Sequence, residues 1–167
     1  MNDAVPVMKT QAGPLLLTLL TLALALPLAQ GAAEHAGERS YLAARAHVGG
    51  PGAQSDAVRT GNTLYLAGHL GIDPRTGAVP ADRATEARLL MDAVQRTVAT
   101  AGLQMDDLVS VTVFSTDLSL SETFNVVYQD YFRGHYPARA FVGASTLARG
   151  AHFEITAVAV KPPHLQL

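Results

Sequence analysis

Hydrophobic and polar positions change period several times along this chain, and each change marks an element. From Arg83 the period is helical: Ala87, Leu90, Met91, Val94, Val98 and Ala101 recur at spacings of three and four, with Arg88, Asp92, Gln95 and Arg96 elsewhere on the surface. Gly102 follows where a C-terminal cap belongs, so the pattern predicts a helix of about five turns. Val109, Val111 and Val113 then alternate with Ser110, Thr112 and Phe114, a strand pattern that ends at Thr116-Asp117. Ser119 and Glu122 have capping-box spacing, and Phe124, Val127, Tyr128 and Tyr131 form the apolar face of a second helix that stops at Gly134. Before the first helix, Asp56–Arg59 and Thr63–Ala67 are short strands around Thr60-Gly61-Asn62, a hairpin signal. Asp73-Pro74-Arg75-Thr76-Gly77 is a turn in which proline presets the backbone and glycine supplies a positive φ. A further short strand is expected near Ala43–Val48, ahead of the break at Gly49-Gly50-Pro51-Gly52.

The first thirty residues follow a different rule. Leu15–Leu26 contains only Leu, Ala and two Thr, with Lys9 before it and Pro27 after it. That is the length of a signal-peptide core, too short to cross a bilayer as a helix. Residues 1–31 are therefore read as a signal peptide, whose more ordinary start is Met8-Lys9-Thr10, with small residues at Gly31–Ala33 for cleavage. Residues 32–52 form a leader into the fold, 53–161 the domain and 162–167 a C-terminal tail. The compartment expected is the periplasm or the exterior, with no membrane association once the leader is removed. No cysteine follows the apolar run to carry a lipid, and cysteine is absent throughout.

Composition narrows the function. Charged residues are 16% and hydrophobic ones 49%, which suits one globular domain with its own core. A formal charge of -2 offers nucleic acid no electrostatic attraction. The order is strands, helix, strand, helix, strands, an α+β class with two helices on one face of a mixed sheet. Phe114, Phe141, Val158 and Val160 are expected on the other face, which another copy of the chain would cover.

The chemistry concentrates between Tyr136 and Lys161. Arg139 opens one strand-like run beside Pro137 and shares a face with Phe141 and Gly143. In the last strand Phe153, Ile155, Ala157 and Ala159 share one face, leaving Glu154 on the other with Thr156 and Val158. A carboxylate on an apolar strand is costly to bury unless it is paired or used. Two strands joined by a short connection are expected to bring Arg139 and Glu154 to one pocket, as a buried ion pair or as a site. The histidines have no metal-ligand spacing, and there is no P-loop, dinucleotide fingerprint or nucleophile elbow.

The runs AQSDAVRTGNTLYLAGHLGIDPRTG, NVVYQDYF and YPARAFVGASTLARGAHFEITAVAV together resemble the Rid family, also called YjgF or L-PSP, over about Ala53 to Lys161. The resemblance implies the chorismate-mutase-like fold and a homotrimer with sheets inside, helices outside and ligand clefts between neighbouring subunits. It also implies hydrolysis of reactive enamines and imines, such as 2-aminoacrylate, to 2-oxo acids and ammonia, without metal or cofactor. Arg139, in the Pro-Ala-Arg motif, matches the family's carboxylate-binding arginine, and Glu154 its acidic residue on the last strand. Gly68 matches a glycine whose backbone borders the cleft, and Phe141 a position whose amide faces the ligand. Gln54 stands where many deaminase members have an aromatic residue and is counted with the substrate-binding positions. His69 replaces a glutamine, and Thr156 a second acid. Family members are usually cytoplasmic, which is the alternative location.

Arginine can hold a carboxylate through two parallel hydrogen bonds, and a glutamate can deprotonate a water and then protonate a departing amine. Two other readings use the same clefts or the older family name: a small-molecule-binding trimer without turnover, and an endoribonuclease. The latter lacks a basic patch and a pair of acid–base histidines.

Overall fold

A computed structural model describes residues 38–43 and 54–162. The segment expected to be a signal peptide (1–31), most of the expected leader and residues 163–167 lie outside the described residues. Six strands form one sheet: β1 (Arg39–Ala43), β2 (Ser55–Thr60), β3 (Thr63–Leu70), β4 (Leu108–Ser115), β5 (Ala138–Gly143) and β6 (Phe153–Val160), in the order β1-β2-β3-β6-β4-β5. All neighbours are antiparallel except β4 and β5. Helix α1 (Arg83–Thr100) connects β3 to β4, and α2 (Ser121–Tyr128) connects β4 to β5. This is the expected α+β fold with a mixed sheet and two helices.

The core lies between the helices and one face of the sheet. Ala87, Leu90, Met91, Val94 and Val98 of α1 meet Leu64 and Leu66 of β3, Val111 and Val113 of β4, and Phe153, Ile155, Ala157 and Ala159 of β6, all buried. Phe124 of α2 sits among Phe153, Tyr128 and Phe141, with ring centroids 5.1, 5.7 and 5.8 Å away. Strand β6 alternates between buried and half-buried positions, so its parity matches the sequence reading.

Local chemistry explains most boundaries. Asp82 caps α1 by accepting from the backbone N–H of Thr85 at 2.7 Å. The β2–β3 hairpin pairs Thr60 with Thr63 and takes its positive φ at Gly61, as a two-residue turn requires. The turn after β3 closes with Gly77 N–H donating to Asp73 O at 2.7 Å.

The structure adds a strand at Arg39–Ala43, while the one expected near Ala43–Val48 lies, apart from Ala43, outside the described residues. Three expectations need correction. The Ser119–Glu122 capping box does not form, because Asp117 accepts from the Ser119 N–H in a 3-10 turn and α2 begins only at Ser121. Phe141 lies on the helix side, against Phe124, rather than on the open face. Finally β5 and β6 are not neighbours, since β4 runs between them. A parallel β4–α2–β5 crossover sends β5 to the sheet edge, where its connection to β6 must pass β4.

The face without helices carries Tyr41, Val58, Tyr65 and Val158 in one cross-strand row, and Leu70, Glu154, Phe114 and Val142 in another. Tyr41 is 63% exposed and Tyr65 50%.

Gly71 packs so closely on α1 that a Cβ there would overlap the backbone oxygen of Glu86. Because the obstacle is backbone, Gly71→Ala is expected to destabilise the protein by about 2 kcal/mol, read as a lower melting temperature at fixed protein concentration. Phe124→Ala, which empties the centre of the aromatic cluster, is expected to cost about 3–5 kcal/mol in the same measurement.

Candidate active site

Arg139 sits on β5 opposite Val111, and Val111 pairs with Ala157 of β6. Cross-strand partners share a face, so Arg139 points to the helix side. There α2 holds it. Nη2 donates to Asn125 Oδ1 at 2.6 Å, and the central guanidinium carbon lies 4.5 Å from the Tyr128 ring centroid. Asn125 and Tyr128 are three residues apart on the helix, which places them side by side. Burial pushes the Tyr128 phenol up to about 12, against a smaller opposing effect of the Arg139 charge. Tyr128 therefore stays a neutral shelf under the cation. The guanidinium is exposed, and its other donors meet no protein acceptor among the described residues.

Glu154 occupies the opposite face. On β6 it lies between Leu70 of β3 and Phe114 of β4 and is half-buried. The carboxylate rests against Gly68, where a Cβ would collide with Oε1. A bulge makes this fit: between Leu66 and His69, β3 has two residues where β6 has one, so Ala67-Gly68 face Thr156 alone. His69 lies behind the bulge on the helix side, with Nδ1 2.8 Å from Ala67 O and Nε2 2.8 Å from Thr97 Oγ1. These contacts make it a buried support of the bulge.

Within one protomer the structure does not bring Arg139 and Glu154 together. They occupy opposite faces and are separated by β4, so neither a shared pocket nor an internal ion pair forms. Phe141 accompanies Arg139, two residues along the same face. Gly68 accompanies Glu154. Gln54 is exposed in the bend before β2, the strand next to β3. Among the described residues, surface depressions include one of about 390 Å³ beside α1, lined by Arg96, Tyr131 and Arg133 among others, and one of about 230 Å³ on the open face, lined by Tyr65, Thr112 and Thr156 among others. Neither contains Arg139 or Glu154.

The sequence reading missed two supporting residues. Asn125 carried a usable signal, three positions before Tyr128 on the helix that must face the Pro-Ala-Arg strand. Glu86 carried a clearer one, since it stands four residues before Leu90, an acid in line with the apolar stripe of α1.

Residues 49–161 match the family described as endoribonuclease L-PSP, and the chain belongs to that family, the Rid or YjgF proteins. It is 39% identical over 107 residues to the 2-iminobutanoate/2-iminopropanoate deaminase of Escherichia coli K12, covering 62% of this chain and 84% of that protein. It is 36% identical over 113 residues to the rat protein of the same name, covering 67% and 82%. The crystal structure of E. coli TdcF with bound serine superposes with a TM-score of 0.67 at 32% identity, over 74% of this chain and all of that one.

Asn125→Ala leaves the guanidinium without its hydrogen-bond anchor. It is expected to weaken binding of a small carboxylate such as pyruvate by about fivefold, the equivalent of about 1 kcal/mol, while shifting the melting temperature little. Isothermal titration beside a thermal melt checks both.

Proposed function

We propose that this protein is a hydrolytic deaminase of 2-imino acids and their enamine tautomers, acting in clefts formed between copies of the chain. The observation that carries the reading is the placement of Arg139 and Glu154 on opposite faces of one sheet, each supported and each open to a visitor. Two copies can combine an Arg139 half-site, with Phe141, and a Glu154 half-site, with Gly68 and Gln54. The partly apolar open face supports the same arrangement, since an assembly that packs these faces together removes Tyr65, Val142 and Val160 from water. The reading includes a homotrimer, which makes three such clefts.

In this mechanism Arg139 holds the substrate carboxylate and fixes the imine carbon beside Glu154. The glutamate takes a proton from water as the oxygen bonds to that carbon and passes it to the imine nitrogen, giving a neutral tetrahedral carbinolamine. It then takes the hydroxyl proton as the carbonyl forms and delivers it to the nitrogen as the C–N bond breaks, so imine and water become 2-oxo acid and ammonia. The reading also places the protein outside the cytoplasm after removal of residues 1–31, which N-terminal sequencing of the mature protein tests, and gives it no nucleic-acid partner.

Imino acids generated by an amino-acid oxidase, with 2-oxo acid formation followed in time, are expected to be hydrolysed faster in the presence of the protein. Arg139→Ala is expected to lower kcat/KM by about 10² or more, and Glu154→Gln to lower kcat by about 10²–10⁴. Equal rates for wild type and Arg139→Ala would leave binding without turnover. Gly68→Ala, which displaces the Glu154 carboxylate, is expected to cost at least about tenfold in kcat with the fold intact.

Mixing settles whether the clefts are shared. Unfolding and refolding R139A with E154Q in equal amounts is expected to restore about a quarter of wild-type activity, because random assembly gives about one cleft in four both intact residues. No restoration, or a monomer by light scattering at micromolar concentration, refutes the shared cleft.

A further inference from the structure

Glu86 is a carboxylate sealed from water in the first turn of α1, with a relative exposure of 0%. Oε1 accepts from the backbone N–H groups of His152 at 2.6 Å and Phe153 at 3.1 Å. Oε2 accepts from Arg83 Nη1 at 3.0 Å and lies 3.1 Å from His152 Nδ1. Three donors and the adjacent His152 ring around one carboxylate explain how it tolerates burial. Its location is more informative. Those two N–H groups belong to the residues immediately before Glu154. The same His152 peptide is held from the other side, where its carbonyl accepts from Thr116 N–H at 3.2 Å. Gly71, the residue after β3 ends, sits directly against the Glu86 peptide.

One residue of α1 thus holds the entry to β6 through its carboxylate and packs its peptide against the exit from β3, the strands that carry Glu154 and Gly68. We propose that Glu86 is a positioning residue for the reaction: it sets the height at which β6 enters the sheet, so that the Glu154 carboxylate stays seated against Gly68. This rests on the reading of Glu154 as the group that moves protons. Glu86 itself lies on the helix side and touches no substrate. An error of an ångström in the placement of a general base is enough to slow proton transfer, which is why such a distant grip registers in rate.

Two substitutions separate reach from charge. Glu86→Gln keeps an oxygen for the two N–H groups and loses the charge paired with Arg83. Glu86→Asp keeps the charge but withdraws it by one methylene. Positioning predicts that E86D lowers kcat at least about tenfold and E86Q only about threefold, with KM within about twofold of wild type in both. Amide hydrogen exchange at Phe153 and Glu154, followed by NMR, is expected to quicken at least about tenfold in E86D, while exchange at Val113 in the core stays unchanged. A wild-type kcat in folded E86D, a larger loss in E86Q than in E86D, or unchanged exchange overturns the proposal. If E86D does not fold, E86Q is read by the same two measurements, and wild-type values in both overturn it. Should the wild-type protein hydrolyse no imine, the deaminase reading fails by itself, and amide exchange still decides whether Glu86 holds the entry to β6.

Discussion

Alternation along a β-strand is the constraint on which the structure turns. Successive side chains point to opposite faces, and here helices cover only one of them. Once Phe153, Ile155, Ala157 and Ala159 are committed to the core, Glu154 has no choice but the open side. Once Phe141 joins Phe124 under α2, Arg139 is committed to the helix side. The two groups proposed to carry the chemistry are thereby kept apart within each chain by the packing that stabilises it. Their separation also removes the simplest non-functional account, an internal ion pair, since no rotamer crosses a sheet.

Each proposed half-site is built by backbone geometry and secured from behind. At Arg139 the securing element is α2, whose Asn125 and Tyr128 hold the guanidinium by one hydrogen bond and one ring face. A flexible side chain with about 2 kcal/mol of rotamer entropy is restrained before any ligand arrives. At Glu154 the securing elements are the β3 bulge, braced by His69, and the entry to β6, gripped by Glu86. The bulge matters because regular pairing would not leave a bare glycine backbone beneath the carboxylate.

Much of this was legible in the chain. Helix α1 announced itself by a 3.6-residue period and a glycine stop, and β6 by strict alternation, because both patterns record a one-sided burial that local residues must obey. The proposed site was legible only in its parts. Arg139 and Glu154 could be singled out from residue type and spacing, and Gly68 and Phe141 through the family resemblance, but the expectation that adjacent strands unite Arg139 and Glu154 failed. Strand order depends on how crossovers pack, and nothing in the run from Tyr136 to Lys161 says that β4 intervenes. His69 was ambiguous and Asn125 was missed for a related reason, since a polar residue declares its role only through the partner it finds. Tyr131 likewise reads as core but spends its hydroxyl on Asp92 Oδ1 at 2.6 Å.

The amino-acid order by itself determined the elements, their faces and the residue types available for chemistry, because periodicity, caps and turns act over a few neighbouring residues. Tertiary structure decided the rest: which strand lies beside which, that the arginine and the glutamate look in opposite directions, and that a glutamate in the helix stripe serves a strand 66 residues away. Those are consequences of long-range contacts, whose partners no local pattern names.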